Sequence, residues 1–133
     1  MKSNLKYFEK RNIFPKHYRL LSKSDFKLPE GRYIYDNPLK LVYCARNSGG
    51  TNSRLGIVVT KKFSKRAVER NKIKRLLREN FRTSNLVSKG LDVVAIVSKP
   101  LPSNQNGQLG SLIFKSFNKI EGRLLWAQTK KEH

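Results

Sequence analysis

Four segments of the chain have the apolar spacing or the uninterrupted apolar composition of β-strands. In the second segment, Leu41 and Tyr43 fall on one face at a period of two, as in a strand with one buried side. The last two segments are nearly all apolar, which is typical of central strands. The predicted strands are residues 32–37, 39–45, 54–60 and 91–98.

Apolar residues at helical spacing predict two amphipathic helices, over residues 65–82 and 109–128. Ser64 is placed to cap the first helix, and Phe63 is placed to pack onto Val68. Gly122 should weaken the second helix by about 1 kcal/mol relative to alanine. The apolar stripe of the first helix contains Ile73, Leu76, Leu77, Asn80 and Phe81, and that of the second contains Leu109, Leu112, Ile113, Phe117, Ile120 and Leu124.

The order of these elements predicts one small α/β (α+β) sandwich, in which a sheet of about four strands packs with helices. The domain should cover residues 17–128. Residues 1–16 are polar and basic and should form a flexible tail, and residues 129–133 a short polar one. No repeat or linker divides the domain.

The chain carries a formal charge of +20, far more than solubility requires. Such a charge implies a polyanionic partner, either nucleic acid or an anionic membrane. The longest uninterrupted apolar run, residues 93–97, is too short for a membrane span, and the N-terminus lacks the apolar segment of a signal peptide. With one cysteine and two histidines, neither a disulfide nor a zinc site is expected. The prediction is a cytoplasmic protein associated with RNA or DNA.

Charge in the first helix is concentrated on the side opposite the apolar stripe. Four cations and one amide lie within about a 100° arc that contains no acid. A merely solvated helix face mixes charges of both signs, so this arc favours a bound polyanion. Arginine suits RNA because its guanidinium group binds phosphate through two hydrogen bonds. The arc, called the cationic face below, consists of Asn71, Lys74, Arg75, Arg78 and Arg82.

The sequence contains no recognisable catalytic motif. No glycine-rich loop opens a helix, and the two histidines supply no convincing nucleophile set. The nine acidic residues form no pair suited to two-metal phosphodiester chemistry. We therefore predict no catalytic residue and no metal-binding residue, and a nuclease reaction would need chemistry from outside this polypeptide.

The motifs resemble those of the bacterial ribonuclease P protein family. Residues 66–82 (RAVERNKIKRLLRENFR) are similar to its signature helix, and residues 54–62 and 91–97 to the strands on either side. Arg19-Leu20 with Phe26 resembles the N-terminal segment of the family. The resemblance covers roughly residues 17–126 in the correct order, which is far more specific than a short motif.

The resemblance implies a small protein that assists a catalytic RNA in removing the 5′ leader from precursor tRNA. Divalent metal, Mg²⁺, held by the RNA would do the chemistry, which agrees with the missing catalytic motif in the protein. The residues expected to bind the RNA subunit are Lys61, Lys62, Arg66, Arg70, Asn71, Lys74, Arg75, Arg78 and Arg82. Those expected in a cleft for the single-stranded leader are Phe26, Leu41 and Tyr43, where an aromatic face would stack on an unpaired base.

The chain departs from the family pattern in two features, and the family itself departs from a general rule of topology in a third. Lys72 stands where many members have arginine, but it lies off the cationic face. The segment after Phe26, residues 27–31, is short and contains Pro29, so a second aromatic residue of the leader cleft is missing. Parallel strand–helix–strand units are nearly always right-handed, whereas the resemblance implies a left-handed crossover here.

Two other classes of protein share the positive charge. A structural, ribosomal-type RNA-binding protein would need no leader cleft, so substitution of Phe26 and Tyr43 would leave its function intact. A DNA-binding regulator with a helix-turn-helix would need a packed helix shortly before Lys65, where the sequence is strand-like.

Overall fold

The computed structural model describes residues 19–20, 28, 31–46, 52–101 and 108–131, with the backbone alone for residues 126–131. A short 3₁₀ helix, Asn85–Ser88, precedes the last strand. The main elements, in chain order, are β1 (Arg32–Asp36), β2 (Leu39–Ala45), β3 (Arg54–Val59), α1 (Ala67–Thr83), β4 (Leu91–Val97) and α2 (Leu109–Lys131).

The four strands form one mixed sheet in the order β1-β2-β4-β3. β2 pairs antiparallel with both β1 and β4, whereas β3 and β4 are parallel and are joined through α1. The predicted α/β sandwich with a four-stranded sheet is confirmed. The left-handed crossover implied by the resemblance stays a prediction.

Both helices cover the same face of the sheet, and the hydrophobic core lies between these layers. The rings of Phe81 in α1 and Phe117 in α2 meet with their centroids 6.0 Å apart. Removal of either ring should cost about 3–5 kcal/mol, because a buried cavity would remain. The predicted stripes are buried at the positions nearest the sheet, which are Ile73, Leu77 and Phe81 in α1 and Ile113, Phe117 and Ile120 in α2.

The opposite face of the sheet, here called the outer face, carries polar and aromatic side chains beside apolar ones of β2, β3 and β4. Strand alternation sends Tyr33 and Tyr35 of β1 and Lys40 of β2 to this face. Asp92 of β4 also points there and accepts two hydrogen bonds of 2.8 Å from the guanidinium group of Arg54 in β3. The outer face therefore contains a paired carboxylate at one end and exposed rings at the other.

The structure corrects several details at the ends of the helices. α1 begins at Ala67 rather than at residue 65, and its N-cap is Arg66, which has no side-chain cap. Phe63 is buried whereas Val68 is 76% exposed, so the predicted contact between them is wrong. α2 continues to Lys131, three residues beyond its predicted end. The predicted tail at residues 1–16 lies outside the described residues.

Candidate nucleic-acid interface

A tight turn between β3 and α1 holds two lysines at the surface. The backbone N–H of Thr60 donates to the carbonyl oxygen of Val97 at 3.1 Å, which continues the parallel pairing for one residue. The N–H of Phe63 then donates to the carbonyl oxygen of Thr60 at 3.0 Å, and the buried Phe63 ring anchors the turn. Lys61 and Lys62 lie within this turn, and both are exposed. Their contact with the RNA subunit stays a prediction.

The central part of the cationic face is directed away from the core by the burial of the opposite side of α1. Ile73 and Leu77 fix the rotation of the helix, so residues about half a turn away point outward. Asn71 and Arg75 are exposed, and Lys74 is half-buried. None of these three side chains has a hydrogen bond or ion pair within the described part of the chain. Their donors are therefore available to a ligand.

A further arginine, which lies outside α1, approaches the cationic face from the N-terminal part of the chain. Arg19 forms an isolated parallel bridge with Leu55 of β3, which brings the N-terminal segment alongside the sheet. Burial lowers the pKa of Arg78, and the positive charge of Arg19 lowers it further. The two positive charges add to each other at this point of the surface and attract a phosphate. Arg19 was not predicted as a site residue, because only tertiary pairing brings it to α1.

Three other predicted RNA-binding arginines already have partners in the protein. Arg70 donates to the carbonyl oxygen of Ser64 at 2.9 Å, and Arg66 lies 3.5 Å from Glu69. Arg82 donates to Glu79 at 2.6 Å, and its side chain is only 15% exposed. Within the described residues, the side chains at the centre of the cationic face are thus without partners, whereas Arg82 at its end and the two arginines that precede the face have partners. A direct RNA contact by Arg66, Arg70 or Arg82 stays a prediction.

The predicted leader residues do not form an exposed aromatic surface. Leu41 is fully buried and Tyr43 is 5% exposed, because both lie on the side of β2 that faces the helices. The Tyr43 hydroxyl accepts a hydrogen bond of 3.5 Å from Arg123 of α2. The expectation that Tyr43 presents a ring for stacking is therefore wrong for this conformation. Phe26 lies outside the described residues, and the assignment of the three residues to a leader cleft stays a prediction.

Exposed rings occur instead on the outer face of β1. Tyr33 is 59% exposed and Tyr35 is 48% exposed. The ammonium nitrogen of Lys40 lies 5.0 Å from the centroid of the Tyr33 ring, and that of Lys99 lies 5.8 Å from the centroid of the Tyr35 ring. Sequence reasoning missed this pair, although two tyrosines at i and i+2 in a short predicted strand were the available signal.

The described residues contain no group of three or more His, Cys, Asp or Glu side chains placed to hold a metal ion. No helix in the same part of the chain has the length and apolar composition needed to cross a membrane. The groups that this surface offers to a ligand are therefore cationic donors, amide donors and aromatic rings.

Sequence comparison gives a consistent set of relatives. The family described as Ribonuclease P matches residues 14–121. A ribonuclease P protein component from Pseudomonas putida is 37% identical over 116 residues, which cover 87% of this chain and 79% of the relative. One from a Marinomonas species is 31% identical over 118 residues, covering 84% of this chain and 86% of the relative.

Solved structures of similar fold agree with the sequence comparison. The RNase P protein of Staphylococcus aureus superposes with a TM-score of 0.59 at 29% identity, covering 80% of this chain and 94% of that one. The RNase P protein of Thermotoga maritima superposes with a TM-score of 0.51 at 28% identity, covering 68% of this chain and 81% of that one.

Proposed function

The chain belongs to the Ribonuclease P protein family, and from this premise we propose how it serves that ribonucleoprotein. It acts as the RNA-binding protein component in the 5′ processing of tRNA. Its cationic face, with Lys61, Lys62 and Arg19 beside it, docks on the phosphates of the ribonuclease P RNA. The same protein then helps the assembled enzyme to bind precursor tRNA in the cytoplasm.

The observation that carries this proposal is the open centre of the cationic face. Asn71, Lys74 and Arg75 present donors without a partner among the described residues, on a helix whose other side is locked into the core. The positive charge of Arg19 acts on Arg78, so this part of the surface also attracts a phosphate. A helix of this kind needs no rearrangement before it binds, so little binding energy is lost to ordering.

We assign the cleavage step to the RNA subunit and to a divalent metal ion that the RNA holds. The described residues offer no cluster of metal ligands, so they do not fit a protein-bound metal centre. The chain's own contribution is positive charge, which reduces the repulsion between two RNA molecules that meet in one complex. At low magnesium concentration this contribution should matter most, since fewer metal ions then screen the RNA phosphates.

The proposal is tested by precursor tRNA cleavage at low magnesium with a bacterial ribonuclease P RNA. The chain would be compared with a Lys74→Gln, Arg75→Gln, Arg78→Gln variant. Glutamine keeps a high helix propensity, so α1 should persist. A charge-matched control, Arg32→Gln, Lys89→Gln, Lys115→Gln, removes three exposed cations that lie outside α1.

We expect the unaltered chain and the control to stimulate 5′ cleavage, and the α1 variant to stimulate it poorly. Equal losses in the two variants would show that only net charge matters, which contradicts a docking role for α1. If the unaltered chain stimulates no ribonuclease P RNA, the alternative of a structural, ribosomal-type RNA-binding protein becomes the better account.

A further inference from the structure

We propose that Ser64 and Glu69 are positioning residues, which hold the turn between β3 and α1 in the conformation that docks on the ribonuclease P RNA. The two side chains are joined to each other and to Arg66, and the three residues are called the turn clip below. Through the turn clip, an uncharged hydroxyl and a carboxylate contribute to the binding of a polyanion. This inference rests on the proposed function, because it concerns the same docking surface.

The Ser64 hydroxyl connects the carboxylate of Glu69 with the start of α1. Its Oγ donates to Oε2 of Glu69 at 2.7 Å and accepts the backbone N–H of Arg66 at 3.2 Å. Arg66 is the N-cap of α1, and its own side chain forms no cap. In a capping box, a carboxylate of the first turn accepts the N–H of the N-cap residue directly. Here Ser64 stands between the two groups, so the carboxylate holds the start of the helix through a hydroxyl.

The exit of the turn depends on polar contacts, whereas its entry is anchored in the core. At the entry, Phe63 is buried and its N–H donates to the carbonyl oxygen of Thr60. At the exit, Ser64 is half-buried and Arg66 is exposed, so no buried side chain fixes the backbone there. The turn clip and a hydrogen bond of 2.9 Å from Arg70 to the carbonyl oxygen of Ser64 supply the attachment instead.

Glu69 is the single acidic residue between Lys61 and Arg78. A negative charge in such a stretch weakens its attraction for RNA, so its presence calls for a separate role. On the helix, Glu69 lies about 120° or more from every residue of the cationic face. Its carboxylate is directed to Ser64 and lies 3.5 Å from the guanidinium group of Arg66. It therefore acts on the turn rather than on phosphates bound at the cationic face.

Order in the turn matters for docking because Lys61 and Lys62 lie between its two attachments. Both lysines are exposed, so they have the access that a phosphate contact requires. A turn that is free to move must be fixed by the RNA when it binds, and the cost of that ordering reduces affinity. A turn that is already fixed avoids this cost. The turn clip thus improves binding without a contact of its own to the RNA.

The test measures the affinity of the full chain and its variants for a bacterial ribonuclease P RNA by filter binding. Ser64→Ala removes both hydrogen bonds of the hydroxyl and changes no charge, whereas Ser64→Thr keeps the hydroxyl. Glu69→Ala removes the carboxylate and raises the net charge by one. The matched control is Ser84→Ala, at the other end of α1. There the hydroxyl donates to the carbonyl oxygen of Phe81 at 2.7 Å and accepts the N–H of Leu86 at 3.3 Å. Circular dichroism confirms that each variant is folded at the temperature of the assay.

We expect Ser64→Ala and Glu69→Ala each to weaken binding about 3-fold to 10-fold, from the loss of one or two hydrogen bonds that order the turn. Ser64→Thr and the Ser84→Ala control should bind like the unaltered chain. The sign of the Glu69 result is decisive, because loss of a negative charge alone would strengthen binding to RNA. Unchanged binding by Ser64→Ala, tighter binding by Glu69→Ala, or an equal loss in Ser84→Ala would each overturn the proposal.

A second measurement shows whether the turn clip acts through the two lysines. In a Lys61→Gln, Lys62→Gln background, Ser64→Ala should cause no further loss of affinity, because the side chains that it positions are gone. A loss that adds in full to that of the lysine variant would overturn the proposal, since the hydroxyl would then act elsewhere. Failure of the unaltered chain to bind any ribonuclease P RNA would refute the proposed function instead.

Discussion

The centre of the cationic face and the turn before α1 are both basic, but they are held in place in different ways. The three central side chains of the cationic face stand on a helix whose other side is buried, and they have no partner among the described residues. Lys61 and Lys62 lie in a turn whose exit is held by hydrogen bonds through Ser64. Packing orders one region, and a few polar contacts order the other.

This difference implies that the salt dependence of RNA binding should distinguish the two regions. Binding to phosphates releases counterions, so affinity falls steeply as salt rises, and removal of a cation reduces that dependence. A turn that loses its order but keeps its charges releases as many counterions once it is bound. Two variants with similar losses of affinity at one salt concentration should therefore diverge when salt is changed.

The largest effect is expected from the α1 variant Lys74→Gln, Arg75→Gln, Arg78→Gln. At roughly 1 kcal/mol for each lost charged contact, affinity for the ribonuclease P RNA should fall about 100-fold. If the unaltered chain neutralises about six phosphates, the slope of log K against log salt is roughly −4 to −5, and the variant should lower its magnitude by roughly 2 to 3. Filter binding over a salt series measures both quantities. An unchanged slope would contradict contacts between these residues and phosphates.

The second effect concerns Ser64→Ala, and it is expected to be nearly independent of salt. The loss of affinity for the RNA should have the same factor at low and at high salt, because the variant keeps every charge and loses only hydrogen bonds that order the turn. The slope of log K against log salt should match that of the unaltered chain. A slope that changes as much as in the α1 variant would show that the variant loses phosphate contacts, and the comparison would fail.

Most of the fold was accessible from sequence, because each main element has a strong local pattern. The strand at residues 39–45 was predicted with its observed bounds, and the buried positions Ile73, Leu77 and Phe81 followed from helical spacing. The 3₁₀ helix Asn85–Ser88 was missed, since four residues give too short a pattern to detect. The rotation of α1, and with it the cationic face, was predictable because the apolar stripe and the cations share one helix.

The placement of the aromatic residues was not accessible in the same way. Alternation shows that Leu41 and Tyr43 share a face, but it does not show which face the helices cover. That choice depends on packing against α2, which buries Tyr43 and exposes Tyr33 and Tyr35. The proximity of Arg19 to Arg78 likewise depends on a pairing between residues far apart in sequence.

The third prediction concerns Asp36, which attaches β1 to α2 through hydrogen bonds from Ser116 and Lys119. Burial alone would raise the pKa of Asp36, but hydrogen bonds from Lys119 and Ser116 and the charges of Lys119 and Lys115 outweigh it, so the pKa lies below its ordinary value of 3.8. Asp36→Asn should therefore reduce the free energy of unfolding by about 1 kcal/mol at neutral pH, discounted because Lys119 is 53% exposed.

The sign of the pH dependence follows from the lowered pKa of Asp36. The stabilisation is fully present above the unfolded-state pKa and is lost as pH falls through the lower folded-state value. Denaturant unfolding should thus separate Asp36→Asn from the unaltered chain near neutral pH and show little difference in strong acid. A difference that persists in strong acid would mean that the carboxylate acts through packing rather than through its charge.

The smallest effect is expected from Glu69→Gln, and it tests whether the turn is held by a hydrogen bond or by a charge. The amide oxygen of glutamine can still accept the hydrogen bond from Ser64, so the turn should keep its order. Because one negative charge is lost, affinity for the RNA should rise by about 2-fold at low salt, and the gain should shrink as salt screens the charge. Filter binding beside Glu69→Ala over a salt series measures this. A loss as large as in Glu69→Ala would show that the ion pair with Arg66, at 3.5 Å, holds the turn, and the hydroxyl of Ser64 would then be secondary.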